Sequence, residues 1–480
     1  MSVNTKCQVF TPPKNVKKLL DVVGYKHNLF GKKVAENSCG DGNILIQIVE
    51  RYIIDSIKNG IYIDKIKKGL EDDIWASEID KYHILNCKNR LDLITKEYGI
   101  SNVSWNIFEG DFLKKNIINA FDFVIGNPPY ITYQELDINS RFFIHKTFKT
   151  CSVGKFDYCY AFIEASLKSL NSTGKLAYLI PSNIFKNQFA ANLRAYILPY
   201  LTDIYDYTKL KLFLGKLTAS AIIVCDMKTS RHCLNYHDII NKKENKITKS
   251  KLKDKWIFSP ITDFYSDKNY IRFGDYYHSA SSIATLLNSV YIISKFIDKD
   301  EYILFEEYKI EKSILRKAIS PRSLNLNRYE YIIFPYYYTE KGLQRYSEDE
   351  FENKFPYAVQ YLKSHKDKLD KRTVDKGIHW YEYGRSQALA HLNQVKLLTS
   401  TLVTGTIKIT QLDNFTVPTA GIYIISKNNK IHSLEKAIDI LKTPLFLDYV
   451  KSIGVIANGN SFRISPRDIN NFMFPSCLLI

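Results

Sequence analysis

The amino-acid sequence predicts an open α/β fold in its first half and a separate domain of mixed α and β structure in its second half. From Val34 to about Met227, short apolar runs alternate with stretches of helical periodicity. This alternation is typical of a mostly parallel sheet covered by helices. After about Lys255 the pattern is less regular, with aromatic clusters and strand-like runs. We therefore expect two domains, 1–235 and 236–480.

Seven apolar runs predict about seven strands for the first domain. In chain order they lie within KKVAEN, DIWASEI, SWNIFEGD, FDFVIGN, KLAYLIP, DIYDY and ASAIIVCDM. The clearest helix follows the fourth run, where Phe156, Tyr160, Ile163, Leu167 and Leu170 place apolar side chains on one face. Because ligands of such sheets bind at the carboxyl ends of the strands, the loops after these runs are the candidate functional segments.

The segment from Ser230 to Lys255 is polar and rich in lysine, which favours a linker or a surface excursion. Beyond it, Thr443 and Pro444 have the residue types of a helix N-cap and first helical position. The second domain is therefore predicted to contain both helices and strands.

The charge balance favours a polyanionic partner. The 480 residues include 67 Lys and Arg against 50 Asp and Glu, a formal net charge of +17. Residues 1–230 hold 30 basic and 23 acidic residues, and residues 231–480 hold 37 and 27. We expect the second domain to carry the larger share of the positive charge.

Several classes of protein are disfavoured. No apolar run reaches the ~18–20 residues of a membrane span, and the first ten residues lack the apolar core of a signal peptide. We expect a cytoplasmic protein without a membrane partner. The eight cysteines are scattered, and neither they nor the ten histidines have metal-binding spacing, so we expect no disulfide framework and no metal.

Three loops after predicted strands carry acidic residues or glycines. The first is the turn Glu36–Gly42, in which Gly40 and Gly42 permit a close approach of a ligand, although most such turns serve only as turns. Glu78 ends the second run, where a carboxylate binds ribose hydroxyls or caps a helix. Asp111 and Phe112 follow the third run, where they either hold a purine or form an ordinary turn.

The fourth loop, Asn127-Pro128-Pro129-Tyr130, is the most specific. Two prolines prevent the strand from continuing and fix the backbone, so the Asn127 side chain and the Pro128 carbonyl are held at the edge of the sheet. Two converging acceptors bind both hydrogens of an aromatic amino group and turn its lone pair toward an electrophile. Tyr130 is placed to stack on the ring.

Taken in order, these motifs resemble a known family. QVFTPP, AENSCGDGNIL, SEID, EGDF, NPPY, KFDYCYAFIEASLKSL, GKLAYLIPS and the segment from Phe213 to Val224 are similar to the motif series of S-adenosylmethionine-dependent DNA adenine-N6 methyltransferases of the gamma type, the TaqI-like modification methyltransferases. The resemblance covers residues 6–228. It implies a class I, Rossmann-like methyltransferase domain with a mostly parallel seven-stranded sheet, followed by a target-recognition domain.

The resemblance also implies roles for individual residues. Those expected to bind S-adenosyl-L-methionine are Thr11, Glu36, Asn37, Ser38, Cys39, Gly40, Glu78, Ile79, Asp111 and Phe112. Those expected at the target adenine are Asn127, Pro128, Pro129, Tyr130 and Phe213. Within the family, proline commonly occupies the position of Asn37, and its absence is expected to loosen the turn.

The implied partner is double-stranded DNA, with a restriction endonuclease encoded separately, and we expect a monomer. In the second domain, the candidate contacts to phosphates and base edges are Lys341, Arg345, Arg372, Arg385, Arg463 and Arg467, each of which is otherwise a solvated surface charge. Two other interpretations stay open: a methyltransferase acting on RNA or on a protein glutamine, and a DNA-specificity subunit without catalytic activity.

Overall fold

The computed structural model describes residues 11–208, 219–258, 269–428, 432–457 and 460–479. The chain divides into two units, Met1–Phe258 and Ser259–Ile480. No helix within the described ranges is long and apolar enough to cross a lipid bilayer.

The first unit is built on one nine-stranded sheet. Its strands are β1 (Val34–Glu36), β2 (Ile74–Glu78), β3 (Asn106–Glu109), β4 (Phe121–Gly126), β5 (Leu170–Pro181), β6 (Leu201–Asp206), β7 (Ser220–Asp226), β8 (Cys233–Asp238) and β9 (Lys243–Thr248). They lie side by side in the order β3-β2-β1-β4-β5-β7-β6-β8-β9. The seven strands predicted from the apolar runs are all present, and they occupy seven consecutive places in this sheet.

Most neighbouring strands are parallel. β3, β2, β1, β4 and β5 run in one direction, as do β6 and β8, while β7 is antiparallel to both β5 and β6. β9 is antiparallel to β8 and forms the edge of the sheet. The carboxyl ends of β1 to β6 and of β8 therefore lie along one edge, and the ends of β7 and β9 lie along the opposite edge.

Helices cover both faces of this sheet. They are α1 (Pro13–Val23), α2 (Asn43–Lys58), α3 (Ile63–Asp73), α4 (Lys81–Glu97), α5 (Ile138–Thr147), α6 (Tyr158–Ser169) and α7 (Ala191–Ile197). One apolar core contains buried side chains of α1 to α4, and the other contains those of α5 to α7. The predicted stripe is confirmed on α6 for Tyr160, Ile163 and Leu167, which are all buried in the second core. Phe156 and Leu170 are buried there too, but Phe156 precedes the helix and Leu170 begins β5.

The interpretation of residues 230–255 as a linker is wrong. These residues form the hairpin β8–β9, which extends the predicted seven-stranded sheet to nine strands. Trp256 then anchors the chain, because it is 1% exposed and stacks on Phe185 with ring centroids 6.0 Å apart. The polar sequence did not indicate a strand at β9, because four of the six residues of β9 are exposed at the sheet edge.

This hairpin changes the distribution of charge. A boundary at 235/236 falls inside β8, whereas the first unit continues to Phe258. Residues 1–258 contain 38 basic and 26 acidic residues, and residues 259–480 contain 29 and 24. The expectation that the second domain carries more positive charge is therefore not met when the units of the structure are used.

The second unit combines short strands and short helices. Its strands are β10 (Tyr270–Arg272), β11 (Tyr277–Ser281), β12 (Ile292–Ser294), β13 (Ile297–Asp298), β14 (Tyr302–Phe305), β15 (Tyr308–Glu311), β16 (Leu315–Ile319), β17 (Glu330–Ile333), β18 (Tyr336–Thr339), β19 (Gly342–Arg345), β20 (Lys396–Thr399), β21 (Leu402–Thr404), β22 (Ile409–Leu412), β23 (Val417–Pro418), β24 (Ile422–Ser426), β25 (Val455–Ile456), β26 (Ser461–Arg463) and β27 (Met473–Pro475). Its helices are α8 (Phe273–Tyr276), α9 (Asn288–Tyr291), α10 (Pro321–Asn325), α11 (Glu348–Lys354), α12 (Pro356–Ser364), α13 (Lys366–Asp370), α14 (Leu434–Lys442), α15 (Pro444–Ile453) and α16 (Pro466–Asn470).

The predicted mixed α and β character of this unit is confirmed. Two four-stranded sheets, β11-β24-β20-β22 and β12-β17-β16-β23, are its largest. Helix α15 begins as the sequence predicts, with the Thr443 side chain accepting a hydrogen bond from the Phe446 amide and Pro444 at the first helical position.

Candidate functional site

The acidic and amide side chains singled out in the sequence meet at the carboxyl edge of the first sheet. Glu36 ends β1, Glu78 ends β2, Asp111 follows β3 and Asn127 follows β4. Because the order of these strands is β3-β2-β1-β4 and all are parallel, the four positions lie on neighbouring loops. The topology therefore places the predicted cofactor and target-base residues at one edge.

Hydrogen bonds to β2 fix the turn after β1. The Cys39 amide donates to the Ser77 carbonyl at 3.0 Å, and the Ser77 hydroxyl donates to the Asn37 carbonyl at 3.0 Å. Gly42, which has a φ of +81°, lies against α4 so closely that an added Cβ would be 2.6 Å from Cys87 Sγ. Only glycine fits both the left-handed backbone and this approach.

Glu36 is a buried carboxylate with an unused oxygen. Its side chain is 2% exposed, and its Oε2 atom has no hydrogen-bond partner among the described residues. Burial is the main reason that the pKa of Glu36 lies well above its ordinary value. A ligand cation beside this oxygen would offset the cost of the buried charge. The ammonium group of S-adenosyl-L-methionine fits that requirement.

The Glu78 carboxylate stabilises the turn after β1 through hydrogen bonds. Its Oε2 accepts a hydrogen bond from the Gly40 amide at 2.9 Å, and its Oε1 accepts from the Ile79 and Asp80 amides at 2.8 and 3.1 Å. Oε1 thus uses both of its lone pairs, whereas Oε2 keeps one. The predicted ribose contact is thus compatible with a second, structural role. Ile79, at 57% exposure, is open to a ligand.

Asp111 and Phe112 begin a short 3₁₀ helix. The Asp111 side chain accepts hydrogen bonds from the Leu113 amide at 3.0 Å and from the Tyr158 hydroxyl at 3.3 Å. Phe112 is 4% exposed and packs against Trp75 and Phe162. The structure thus places Phe112 in the apolar core beside the site, and its contact with a purine stays a prediction.

The Asn127 amide is oriented from both sides. Its Nδ2 donates to the Thr11 hydroxyl at 3.2 Å, and its Oδ1 accepts from the Tyr130 hydroxyl at 2.5 Å. The backbone carbonyl of Asn127 accepts from the Ser38 hydroxyl at 3.2 Å. Pro128 is a buried residue, and no described residue donates a hydrogen bond to its carbonyl oxygen. The loop therefore presents one amide oxygen and one carbonyl oxygen, and Ser38 and Thr11 connect it to the cofactor turn and to the start of α1.

Tyr130 is held close to the strand. Its hydroxyl is 2.8 Å from the Leu179 carbonyl as well as 2.5 Å from Asn127 Oδ1, and burial raises the pKa of Tyr130 well above its ordinary value. An amide oxygen has two lone pairs, and the hydrogen bond from Tyr130 uses one of those on Asn127 Oδ1. The predicted stacking of Tyr130 on a base stays a prediction.

The side chain of Asn37 points into the protein. Its Nδ2 donates to the Ser166 hydroxyl at 2.7 Å, and its Oδ1 accepts from the Tyr178 hydroxyl at 2.6 Å. The Ser166 and Tyr178 hydroxyls are 2.6 Å apart, which closes a buried triangle. The amide group is thus occupied within the protein, and it restrains the turn that the loss of a proline was expected to loosen.

The triangle of Asn37, Ser166 and Tyr178 also contacts β4, the strand that immediately precedes Asn127. An added Cβ at Gly126 would lie 3.3 Å from a Tyr178 ring carbon and 3.8 Å from Asn37 Oδ1. Sequence reasoning missed Ser166 and Tyr178 because both lie in segments whose apolar residues predicted a helix and a strand. Hydroxyl groups at positions predicted to be core were the available signal.

Phe213, which the resemblance led us to expect at the target adenine, lies outside the described residues.

Three of the predicted DNA-contacting arginines have structural partners. Arg345 forms a two-pronged ion pair with the buried Glu382, with N–O distances of 2.7 and 2.5 Å. Arg372 donates to backbone carbonyls, including those of Thr285 and Trp380, and Arg385 pairs with Asp375 at 2.7 Å. These contacts occupy the guanidinium groups, so they weaken the assignment of these three residues to DNA.

The remaining candidates differ from these. Within the described parts of the chain, the Lys341 ammonium and the Arg463 guanidinium have no hydrogen-bond or ion-pair partner, whereas Arg467 does form an interaction. The described residues contain no cluster of histidine, cysteine or acidic side chains able to hold a metal ion.

The fold and the site together define a class of protein. The order β3-β2-β1-β4-β5-β7-β6 with an antiparallel β7, and an acidic turn after β1, is the arrangement of class I S-adenosylmethionine-dependent methyltransferases. A solved structure of the restriction-modification enzyme MmeI in complex with DNA has the same fold, with a TM-score of 0.58 at 13% identity, over 96% of this chain and 64% of that one. The restriction-modification enzyme LlaGI matches with a TM-score of 0.53 at 12% identity, over 88% of this chain and 48% of that one.

Sequence comparison finds similarity to restriction-modification methylases. Residues 44–213 match the model of the Eco57I restriction-modification methylase. The restriction enzyme and methyltransferase RM.Eco57I of Escherichia coli is 26% identical over 69% of this chain and 38% of its own length, and the methyltransferase M.BstVI of Geobacillus stearothermophilus is 28% identical over 52% and 50%. The chain thus spans half or less of these two relatives. The resemblance found from the motifs is confirmed at the level of restriction-modification methylases.

The unused oxygen of Glu36 leads to a first prediction. The Glu36 carboxylate must be ionised to bind an ammonium group, and its pKa is raised in the free protein. Affinity for S-adenosyl-L-methionine should therefore fall as the pH is lowered through that pKa, and binding below that pKa should release a proton. Glu36→Gln should weaken binding roughly 10–100-fold and remove the proton release.

Isothermal titration calorimetry in buffers of different ionisation enthalpy measures both quantities. Glu97→Gln, which changes an exposed glutamate at the end of α4, is the matched control and should leave both unchanged. Equal proton release by the wild type and Glu36→Gln would remove Glu36 from the cofactor site.

The buried triangle leads to a second prediction. Tyr178→Phe leaves Asn37 Oδ1 without its donor in a dry environment, so the free energy of unfolding should fall by about 1–3 kcal/mol. Urea denaturation measures the loss. Tyr62→Phe removes a hydroxyl from a side chain that is 77% exposed and should have almost no effect. Similar stability for the two variants would show that the triangle does not restrain the turn.

The Arg345–Glu382 ion pair leads to a third prediction. Arg345→Ala leaves a carboxylate that is 1% exposed without its cation, so stability should fall by ~3–5 kcal/mol. Arg463→Ala, which removes an exposed arginine, should change stability by less than ~0.5 kcal/mol. Urea denaturation of the full chain compares the two, and equal losses would contradict a structural role for Arg345.

Proposed function

We propose that this protein is a site-specific DNA methyltransferase that transfers a methyl group from S-adenosyl-L-methionine to N6 of adenine in double-stranded DNA. The observation that carries the proposal is the Asn127–Tyr130 loop, whose amide oxygen and adjacent carbonyl project from the strand next to the Glu36 turn. The family match to restriction-modification methylases supports DNA as the substrate.

Different residues of the chain bind the cofactor and the target base. Glu36 and the turn through Gly40 hold the methionine part of the cofactor, and Glu78, Ile79, Asp111 and Phe112 hold its nucleoside part. The bound cofactor supplies a methyl group on a positively charged sulfur, a strong electrophile. The protein's task is to place the adenine amino nitrogen in line with that carbon–sulfur bond.

Asn127 and Pro128 perform this placement. Asn127 Oδ1 and the Pro128 carbonyl accept the two hydrogens of the N6 amino group, which turns the nitrogen lone pair toward the methyl carbon. The cofactor would supply the methyl group to this lone pair, and the proton that N6 gives up would pass to water. Thr11 and Tyr130 keep the Asn127 oxygen, rather than its NH₂ group, directed at the base.

The target adenine must leave the duplex to reach this loop. Extrusion costs a few kcal/mol, and stacking on an aromatic side chain returns ~1–3 kcal/mol per contact. Tyr130 is the described candidate for this contact. We further propose that the first unit performs methyl transfer, that the second selects the target sequence, and that a separate endonuclease cuts the unmodified site.

The decisive variant is Asn127→Ala. It removes one of the two acceptors for the amino group, so methyl transfer should fall to below a few per cent of the wild-type rate, roughly 10²-fold or more, while affinity for S-adenosyl-L-methionine is kept. The assay uses labelled cofactor and duplex DNA, followed by nucleoside analysis of the product.

Asn245→Ala is the matched control, because Asn245 is exposed on β9. Parallel assays with RNA or with a protein in place of DNA separate the alternatives, because label recovered as N6-methyladenosine or in a protein glutamine would reassign the substrate. Absence of cofactor binding would favour a specificity subunit. Wild-type turnover by Asn127→Ala would end the proposed mechanism.

A further inference from the structure

A cavity lies in the first unit, at the edge of the sheet opposite the candidate active site. It has a volume of about 330 Å³ and is formed where the chain enters β6, where β7 turns into β8, and where β9 ends. The carboxyl ends of the parallel strands lie at the other edge, so this cavity is separate from the Asn127 loop. Neither the proposed reaction nor the resemblance assigns it a role.

Cations and hydroxyl groups line this cavity. Arg231 and His232 come from the β7–β8 turn, Lys249 follows β9, and Ser230 and Ser250 add hydroxyls. The Lys249 ammonium donates to the Pro199 carbonyl at 2.8 Å, which fixes its position at the cavity wall. All of these side-chain groups can donate hydrogen bonds.

The positive charges are not compensated within the described part of the chain. No carboxylate there forms an ion pair with Arg231, His232 or Lys249. Burial lowers the pKa of Lys249, and the charge of Arg231 lowers it further. Two neighbouring cations without a counter-charge repel each other, and an anion between them would relieve this repulsion.

The hydrogen-bond donors that line the cavity favour phosphate over a carboxylate. A guanidinium, an ammonium and several hydroxyl groups match the several oxygens of a phosphate better than the two of a carboxylate. We propose that this cavity, lined by Arg231, His232 and Lys249, is a second binding site that takes a phosphate group.

A nucleic acid backbone is the source that the surroundings favour. The segment 242–255 contains seven lysines against two acidic residues, and it leads from the carboxyl edge of the sheet along β9 to the cavity. Lysines on an edge strand also prevent pairing with other chains, which is the simpler explanation for Lys243 and Lys246. That explanation does not cover Arg231 and His232, since neither lies on β9.

The test compares the full-length wild type with two double variants. Arg231→Ala/Lys249→Ala removes two charges from the cavity, and Lys243→Ala/Lys246→Ala removes two charges from exposed positions of β9 outside it. Thermal unfolding is followed while chloride is exchanged for inorganic phosphate at constant ionic strength. Wild type and the β9 variant should show a saturable rise in Tm, and the cavity variant should need about tenfold more phosphate for the same rise.

Arg231→Gln provides a second variant if the cavity double variant does not fold, because Arg231 is exposed and should be dispensable for folding. It should also weaken the phosphate response. An equal response to phosphate in all variants, or a response that does not saturate in the wild type, would overturn the proposal. None of these measurements depends on methyl transfer, so they stand or fall apart from the proposed function.

A second arm identifies the source of the phosphate. A short duplex of G·C pairs cannot supply a target adenine, and its affinity is measured over a range of salt. If the ligand is the DNA backbone, the cavity variant should lower the slope of log Kd against log salt by about one or two. An unchanged slope together with the phosphate effect assigns the cavity to a small phosphate compound.

Discussion

The hydrogen bonds of Asn37 connect the parts of the proposed active site. Through Ser166 and Tyr178 they join the turn after β1 to α6 and β5. The side chains of Tyr178 and Asn37 also lie against Gly126, immediately before Asn127. The Asn37 carbonyl accepts from Ser77 on β2. A shift of this one residue would therefore move both the cofactor turn and the loop that faces the base. Three hydrogen bonds of Asn37 restrain the backbone at the position where the motif resemblance leads us to expect proline.

The sequence predicted the parts of the fold in which one physical signal dominates. β7 is almost wholly buried and apolar, and β4 ends in three buried residues, so the pattern of both strands has a single interpretation. β9 was missed because an edge strand needs no apolar side chains when its neighbour supplies the backbone pairing. Composition cannot distinguish such a strand from a linker. Trp256, a large apolar residue at the end of the polar segment, was the one local sign of a return to the core.

The same contrast holds at the site. Glu36, Glu78, Asp111 and Asn127 were found because each ends or follows a strand, and the topology brings such positions to one edge. Their partners were not found, since the contacts Asn127–Thr11 and Asn37–Tyr178 join residues more than a hundred positions apart. For the arginines of the second unit, residue type alone suggested DNA, whereas Arg345 in fact compensates a buried carboxylate.

The β8–β9 hairpin determines where the first unit can be separated from the rest of the chain. A fragment that ends near residue 235 would divide β8, expose the backbone of β6 as a new edge, and remove Trp256 from its place on Phe185. Such a fragment would present unpaired strand groups beside an opened apolar core, the conditions that favour aggregation. The smallest piece with an intact sheet extends through Phe258, and it would keep the lysine-rich surface together with the site for methyl transfer.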